Sequence, residues 1–126
     1  MNTRARGRNV LGEPLADCSH APMTGWFRDG CCDTDEQDRG LHTVCAVVTA
    51  AFLEFSRARG NDLVTPQPAL GFPGLKPGDR WCLCAARWRE AEQAGAAPRL
   101  VLTATHQATL AVVPLAILKR YAIDLA

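Results

Sequence analysis

Short apolar segments alternate along this chain with segments rich in glycine, proline and charge, and each apolar segment predicts one element of structure. The β-branched run HTVCAVV, residues 42–48, predicts a buried strand. Thr49 follows it at a helix N-cap position, and an apolar stripe at helical spacing predicts a helix over residues 50–59. Gly60 stands where the left-handed residue after such a helix belongs.

The middle of the chain repeats this order of strand and helix. Two Pro-Gly pairs in the run FPGLKPGD predict tight turns, because proline presets φ and glycine accepts a positive φ. Residues 80–85 then predict a strand, and residues 86–94 predict a helix that ends at Gly95 and turns Trp88 inward.

The C-terminal part predicts a third strand and a third helix. Residues 100–105 alternate in polarity like a strand, and Pro114 suits the first turn of a helix over residues 115–122. Residues 110–113 fit a hairpin partner for that strand. The competing interpretation is one short helix over residues 107–112.

The remaining segments set the domain organisation. Residues 1–8 predict a flexible basic tail, and residues 9–126 predict a single compact domain. Residues 9–11 predict a short strand, followed by a long loop that Trp26 and Phe27 anchor to the core. Because strands and helices interleave through irregular connections, we expect an α+β fold: a small, mostly antiparallel or mixed sheet with about three helices.

Composition narrows the class of protein. The 126 residues are 48% hydrophobic and 21% charged, with a formal net charge of +1. This balance argues against a nucleic-acid binder, which needs clustered basic residues to neutralise phosphates. No apolar run is long enough for a membrane span, and no apolar segment follows the basic N-terminus as in a secretory signal. We therefore expect a cytoplasmic protein without nucleic-acid or membrane partners; its oligomeric state is left open.

Six cysteines provide the clearest candidate chemistry. In a reducing cytosol they indicate thiols, a metal site or catalysis rather than disulfides. Two thiols two residues apart on a strand share a face, and a vicinal pair follows the Asp29-Gly30 turn. The sequence thus predicts a zinc or copper(I) site with the ligands Cys31, Cys32, Cys82 and Cys84. Their spacing differs from the usual C-x₂₋₄-C pairs of structural zinc sites, so small buried thiols are the alternative, and Cys45 is assigned to the core.

A cysteine-dependent enzyme is a further hypothesis. The nucleophile would be a thiolate, the base a histidine, and a carboxylate would orient the base. The candidates are, respectively, Cys31 or Cys32, His42 or His106, and Asp29 or Asp79. His106, at a predicted strand end, also fits a capping or hydrogen-bonded role, and His20 fits a solvated loop.

Ligand binding and the acidic run complete the candidates. Arg80, Arg87 and Lys76 lie near the predicted strand and could receive an anion, with ordinary surface charge as the alternative. Trp81 could form the wall of a pocket, so Arg80 and Trp81 are the candidate ligand-binding residues for a small molecule. The run DTDEQDRG, residues 33–40, has four carboxylates but lacks the order of an EF-hand loop. We interpret it as a solvated acidic surface. A domain without catalysis, whose cysteines only pack, stays an alternative.

Several runs of the sequence resemble a known family. These are FRDGCC, HTVCAVVT, RGNDLVTPQP, FPGLKPGDRWCLCAARWREA and ATHQATL. They are similar to the domain-of-unknown-function family 2237, small bacterial proteins with some plant relatives, from about Asn9 to the C-terminus. The resemblance implies one intact domain and no particular reaction.

Overall fold

A three-stranded antiparallel sheet forms the centre of the fold. The computed structural model describes residues 5–125. The strands are β1 (His42–Val47), β2 (Arg80–Cys84) and β3 (Arg99–Leu100), in the order β2-β1-β3. The central position of β1 explains its apolar sequence, because a strand paired on both sides has no solvent-exposed edge. The predicted α+β class and single compact domain are confirmed.

Three α-helices accompany the sheet, as the sequence predicts. They are α1 (Ala50–Ala58), α2 (Ala85–Gln93) and α3 (Leu115–Arg120). The Thr49 hydroxyl caps α1 by accepting a hydrogen bond from the backbone N–H of Phe52 at 3.0 Å. Short 3₁₀ helices cover Pro68–Leu70, Leu102–Ala104 and Gln107–Ala111.

Trp88 on α2 is the largest fully buried side chain of the core. Its indole N–H donates to the Pro98 carbonyl at 3.1 Å, and its ring meets the Tyr121 ring edge to face at 5.1 Å. The tryptophan therefore joins α2 to the start of β3 and to the end of α3. This is the inward position that the sequence predicts for it.

The third predicted strand is much shorter than expected. β3 ends at Leu100, and the chain turns into a 3₁₀ helix at Leu102. The physical reason is Asp124, whose carboxylate accepts hydrogen bonds from the backbone N–H groups of Leu102 and Thr103, both at 2.9 Å. Those N–H groups cannot then extend a strand ladder. Downstream, the short-helix interpretation is correct and the hairpin interpretation is wrong.

The N-terminal segment, residues 5–41, contains no regular helix or strand. Asn9 and Val10 form an isolated bridge and loop contacts with residues 103–106 instead of the predicted strand. Trp26 is 40% exposed, so its predicted anchoring in the core is wrong. Residues 1–4 of the predicted tail, and Ala126, lie outside the described residues, and the boundary of the tail stays a prediction.

A membrane span has no counterpart in the described part of the chain. Of the helices in residues 5–125, none combines the length and the apolar character that crossing a bilayer requires.

Candidate functional site

A cavity of about 470 Å³ opens where the N-terminal segment meets the ends of β1 and β2. Its volume lies in the range of small-molecule sites. We call it the Cys84 pocket. It is lined by Thr24, Gly25, Trp26, Arg28, His42, Asn61, Leu63, Trp81, Cys82, Leu83, Cys84 and Arg87.

A buried carboxylate holds His42 at the wall of this pocket. His42 Nδ1 lies 2.7 Å from Asp38 Oδ1, and the Asp38 side chain is completely buried. Asp38 Oδ2 also accepts hydrogen bonds from the His42 backbone N–H at 3.0 Å and from the Thr34 hydroxyl at 2.9 Å. A carboxylate only accepts hydrogen bonds, so Nδ1 carries the proton of the neutral ring and Nε2 remains an acceptor.

An irregularity in β1 brings a free thiol opposite this histidine. The register between β1 and β2 shifts between His42 and Val44, and His42 is paired with Cys84. Partners in an antiparallel pair have Cβ atoms about 5 Å apart on one face of the sheet. A bulge often re-aims a side chain near a site, and here a histidine and a thiol share one pocket.

Cys84 also stands at the N-cap of α2, where no side chain caps the helix. The first N–H groups of an α-helix have no intrahelical partner, and they carry the positive end of the helix dipole. Arg28 and Arg87 line the same pocket, and none of the described lining residues is acidic. The wall of the Cys84 pocket therefore favours a negatively charged ligand.

Two residues near the pocket adopt a strained backbone. Leu41, directly before His42, has φ 47°, and Arg28 has φ 55°. Left-handed backbone at non-glycine residues is uncommon and gathers at functional sites. Trp26 restrains the His42 side chain, because the two rings stack with their centres 6.0 Å apart and an angle of 8° between the planes.

Four cysteines form two disulfides, which differs from the thiols expected from sequence. Cys18 is bonded to Cys45, and Cys32 is bonded to Cys82. The assignment of Cys45 as a free core thiol is therefore wrong, although the residue is fully buried. No local pattern in the sequence indicates these pairs, since the partners lie 27 and 50 residues apart.

The candidate nucleophiles and ligands divide between these bonds and two free thiols. Cys31 and Cys84 are free, and burial raises the pKa of Cys31 to about 11. Of the four predicted metal ligands, Cys32 and Cys82 are joined to each other, and a metal site on all four stays a prediction. Cys31 and Cys32 are not among the described residues that line the Cys84 pocket, and their catalytic roles likewise stay predictions.

The structure places the predicted orienting carboxylate elsewhere. Asp79 Oδ2 accepts a hydrogen bond from the Lys76 backbone N–H at 2.9 Å, which closes a turn. The carboxylate on His42 is Asp38, from the run that we interpreted as solvated. That interpretation is wrong for Asp33 and Asp38, which are both buried. The signal in the sequence that could have identified this pair is the position of Asp38, four residues before His42.

The remaining predicted site residues lie in different places, and among them only Trp81 is in the described lining of the Cys84 pocket. Trp81 lines the pocket, whereas Arg80 is exposed and is absent from the described lining. His106 caps a 3₁₀ helix, where its Nδ1 accepts from the Ala108 N–H at 2.9 Å, so its capping role is confirmed. Asp29 accepts from the Cys31 N–H at 3.1 Å.

The sequence comparison gives a family. Residues 8–122 match the model of a family described as "Uncharacterized protein conserved in bacteria (DUF2237)". The chain belongs to DUF2237. The match covers the sheet, all three helices and the Cys84 pocket, so the family domain and this fold coincide. No curated protein matches the chain. Membership in DUF2237 confirms the resemblance and brings no reaction with it.

Proposed function

We propose that this DUF2237 domain is a cysteine-dependent enzyme that binds a small anionic molecule in the Cys84 pocket. Cys84 is the nucleophile, His42 is its general base, and Asp38 orients the histidine. One observation carries the proposal: His42 is the strand partner of Cys84 and lines the same pocket, while its Nδ1 is held by a buried carboxylate. This arrangement supports the proposal because it leaves His42 Nε2 as the nitrogen that can accept the thiol proton.

The chemistry follows from that arrangement. His42 Nε2 takes the proton of the Cys84 thiol as the sulfur attacks an electrophilic carbon of the ligand, such as an acyl carbon. A carbon–sulfur bond forms, the bond from the acyl carbon to the leaving group breaks, and the protonated imidazole gives its proton to the leaving group. Water, deprotonated by His42, then attacks the thioester, and the carboxylate product and the Cys84 thiol are released. The Ala85 N–H at the start of α2 donates to the Leu41 carbonyl at 2.9 Å, and no side chain caps the N–H groups that follow it. Those following N–H groups stabilise the negative charge that develops on the acyl oxygen.

The two arginines suggest the charge of the ligand. Arg28 lies with its guanidinium carbon 5.6 Å from the centre of the Trp81 ring. Arg87 donates to the Arg59 carbonyl at 3.0 Å and pairs with Glu90 at 3.4 Å, so an anion in the pocket would share its guanidinium with that carboxylate. Arginine binds carboxylates and phosphates through its planar set of donors, so we propose a ligand that carries one of these groups.

The proposal also includes the cellular compartment in which the domain acts. A nucleophilic thiol has to stay reduced, and the cytoplasm keeps exposed thiols in that state. Cys84 is the half-exposed member of the two free cysteines. We therefore retain the cytoplasm, expected from the sequence, as the place where this domain acts.

The test is the alkylation rate of Cys84 by iodoacetamide, followed by mass spectrometry of its peptide between pH 5 and pH 9. We expect rapid labelling in the wild type. His42→Gln and Asp38→Asn should each slow labelling near pH 7 by about 10-fold or more, because general bases typically contribute 10² to 10⁴ in rate. Matched controls are His20→Gln, an exposed histidine also paired with an aspartate, and Glu36→Gln, an exposed acid of the same run.

The outcomes separate catalysis from packing. If Cys84 reacts equally fast in His42→Gln and in wild type, the histidine is no base and the proposal fails. If Cys84 reacts only on unfolding, the alternative of a domain whose cysteines merely pack takes its place. Both results are independent of the identity of the substrate.

Charge preference is tested with a matched pair of reagents. Iodoacetate carries a carboxylate and iodoacetamide is neutral, so their rate ratio at Cys84 reports the field in the pocket. Arg87→Gln should lower this ratio. Arg89→Gln, on the same helix but outside the described lining, should leave it unchanged. An equal ratio in both variants would contradict an anionic ligand.

A further inference from the structure

The two disulfides lie side by side and bring four sulfur atoms into one cluster. Cys45 and Cys82 are direct partners across β1 and β2, and each is bonded to a cysteine of the N-terminal segment. The sulfurs of Cys18, Cys32 and Cys82 all lie within 4.8 Å of one another, although they belong to two different bonds. All four residues are buried, with at most 6% exposure.

The fold holds two members of this cluster rigidly and independently of the sulfur bonds. The Cys45 backbone N–H donates to the Thr105 hydroxyl at 3.2 Å, and the Cys82 N–H donates to the Thr24 hydroxyl at 2.9 Å. The strands that carry both cysteines are also paired with each other. Reduction of the disulfides would therefore leave these two sulfurs in place.

We propose that Cys18, Cys32, Cys45 and Cys82 form a redox-dependent zinc site, closed by disulfides when oxidised and by a tetrathiolate zinc ion when reduced. Four thiolates around zinc at about 2.3 Å place the sulfurs about 3.8 Å apart. The sulfurs of Cys18, Cys32 and Cys82 already lie within 4.8 Å of one another, and the Cys45 sulfur is held beside this group by its bond to Cys18. A zinc ion would therefore draw together sulfurs that are already close. These ligands differ from the set predicted from sequence, and they do not depend on Cys84.

The two states differ by a balanced exchange of electrons and protons. A dithiol reductant gives two electrons and two protons to each disulfide and is itself oxidised to a disulfide, which yields four thiols in all. Zinc(II) then displaces four protons, which pass to solvent, and four zinc–sulfur bonds form. Oxidation by a disulfide reverses the first step and releases the ion. A reducing cytoplasm would favour the zinc form, so two structural disulfides and a cytoplasmic location are compatible.

The same pairing of strands explains why sequence motifs miss the site. Structural zinc sites are usually found through paired cysteines two to four residues apart, whereas here each ligand comes from a separate part of the chain. Residues 18 and 32 belong to the N-terminal segment, and residues 45 and 82 belong to two strands. Only the tertiary fold assembles the ligands.

The experiment measures metal in full-length protein purified without an affinity tag. Protein reduced anaerobically with a phosphine reductant and given zinc should retain about one ion per chain after gel filtration, and oxidised protein should retain none. Cobalt(II) in place of zinc should give the absorption bands of a tetrahedral tetrathiolate. Alkylation of the zinc-loaded wild type should label Cys84 and protect Cys18, Cys32, Cys45 and Cys82, a result that needs no variant.

Two double variants provide the matched comparison. Cys18→Ala with Cys45→Ala should lower bound zinc to background, whereas Cys31→Ala with Cys84→Ala should keep it. Reduced wild type that binds no stoichiometric zinc or cobalt would overturn the proposal. So would zinc that leaves Cys18, Cys32, Cys45 and Cys82 open to alkylation. Loss of zinc only in the second double variant would overturn it in favour of the ligands predicted from sequence.

Discussion

Removal of the Cys18–Cys45 disulfide should destabilise the oxidised protein mainly through the unfolded state. The perturbation is Cys18→Ala with Cys45→Ala, compared with Cys32→Ala with Cys82→Ala. The two bonds close loops of 27 and 50 residues. Loop-closure entropy then gives about 3.5 kcal/mol for the shorter loop and about 4 kcal/mol for the longer one at 25 °C.

These free energies correspond to large changes in melting temperature. Unfolding entropy is about 2.1 cal/mol/K per residue, so a chain of 126 residues should lose about 13 °C and about 15 °C, respectively. The loops overlap between residues 32 and 45, and removal of both bonds should therefore cost less than the sum. Oxidised protein treated with a chelator is the correct starting state, because bound zinc would add its own stabilisation.

Urea unfolding at 25 °C distinguishes this mechanism from a loss of packing. An unfolded chain without the cross-link expands, so the m-value should rise along with the fall in stability. The matched control is Cys31→Ala, which removes a buried free thiol but opens no loop. Its m-value should stay at the wild-type value. Disulfide variants that lose no more stability than this control, at an unchanged m-value, would refute the loop argument.

The remaining predictions concern Cys31, Gly40 and His106. Because burial raises the pKa of Cys31 to about 11, mass spectrometry should find it unalkylated at pH 8 until urea unfolds the protein; early labelling would contradict this. In Gly40→Ala the new Cβ lies 2.9 Å from His42 Cε1, so the displaced ring should slow Cys84 alkylation. Burial lowers the pKa of His106, only partly opposed by a nearby carboxylate. The unfolded state then binds more protons, and the unfolding free energy should decrease as the pH falls through 6.5 towards the lowered value. His106→Asn should remove this slope in urea titrations; an unchanged slope would contradict the assignment.

Local signals explain which parts of the fold could be predicted from the sequence. The helix α1 has a capping threonine, an apolar stripe and a glycine stop within twelve residues, and its observed bounds differ from the predicted ones by one residue. The sequences of β1 and α2 likewise contain local signals that predict these elements. Each of these elements is specified by neighbours in the chain, so no tertiary contact is needed to recognise it.

Long-range contacts explain what the sequence did not reveal. β3 is short because Asp124, more than twenty residues away, binds the N–H groups that would extend it. Asp38 looked solvated because its neighbours in the acidic run are exposed, yet its burial makes it the partner of His42. Cys84 was predicted as a metal ligand, and only the strand register reveals that it faces the histidine.

The hydrogen bonds of the N-terminal segment impose an order on the folding of this chain during its synthesis. Val10 donates to the Thr105 carbonyl at 2.9 Å, and the Asn9 side chain donates to the Thr103 carbonyl 94 residues further along the chain. Asn9 and Val10 thus leave the ribosome long before their binding partners at residues 103–105 are made. Until residues 103–105 are made, the N-terminal segment lacks these hydrogen bonds, and Cys18 and Cys32 lack part of the structure that buries them. Cellular thiols and metal ions therefore meet these cysteines before the core closes over them.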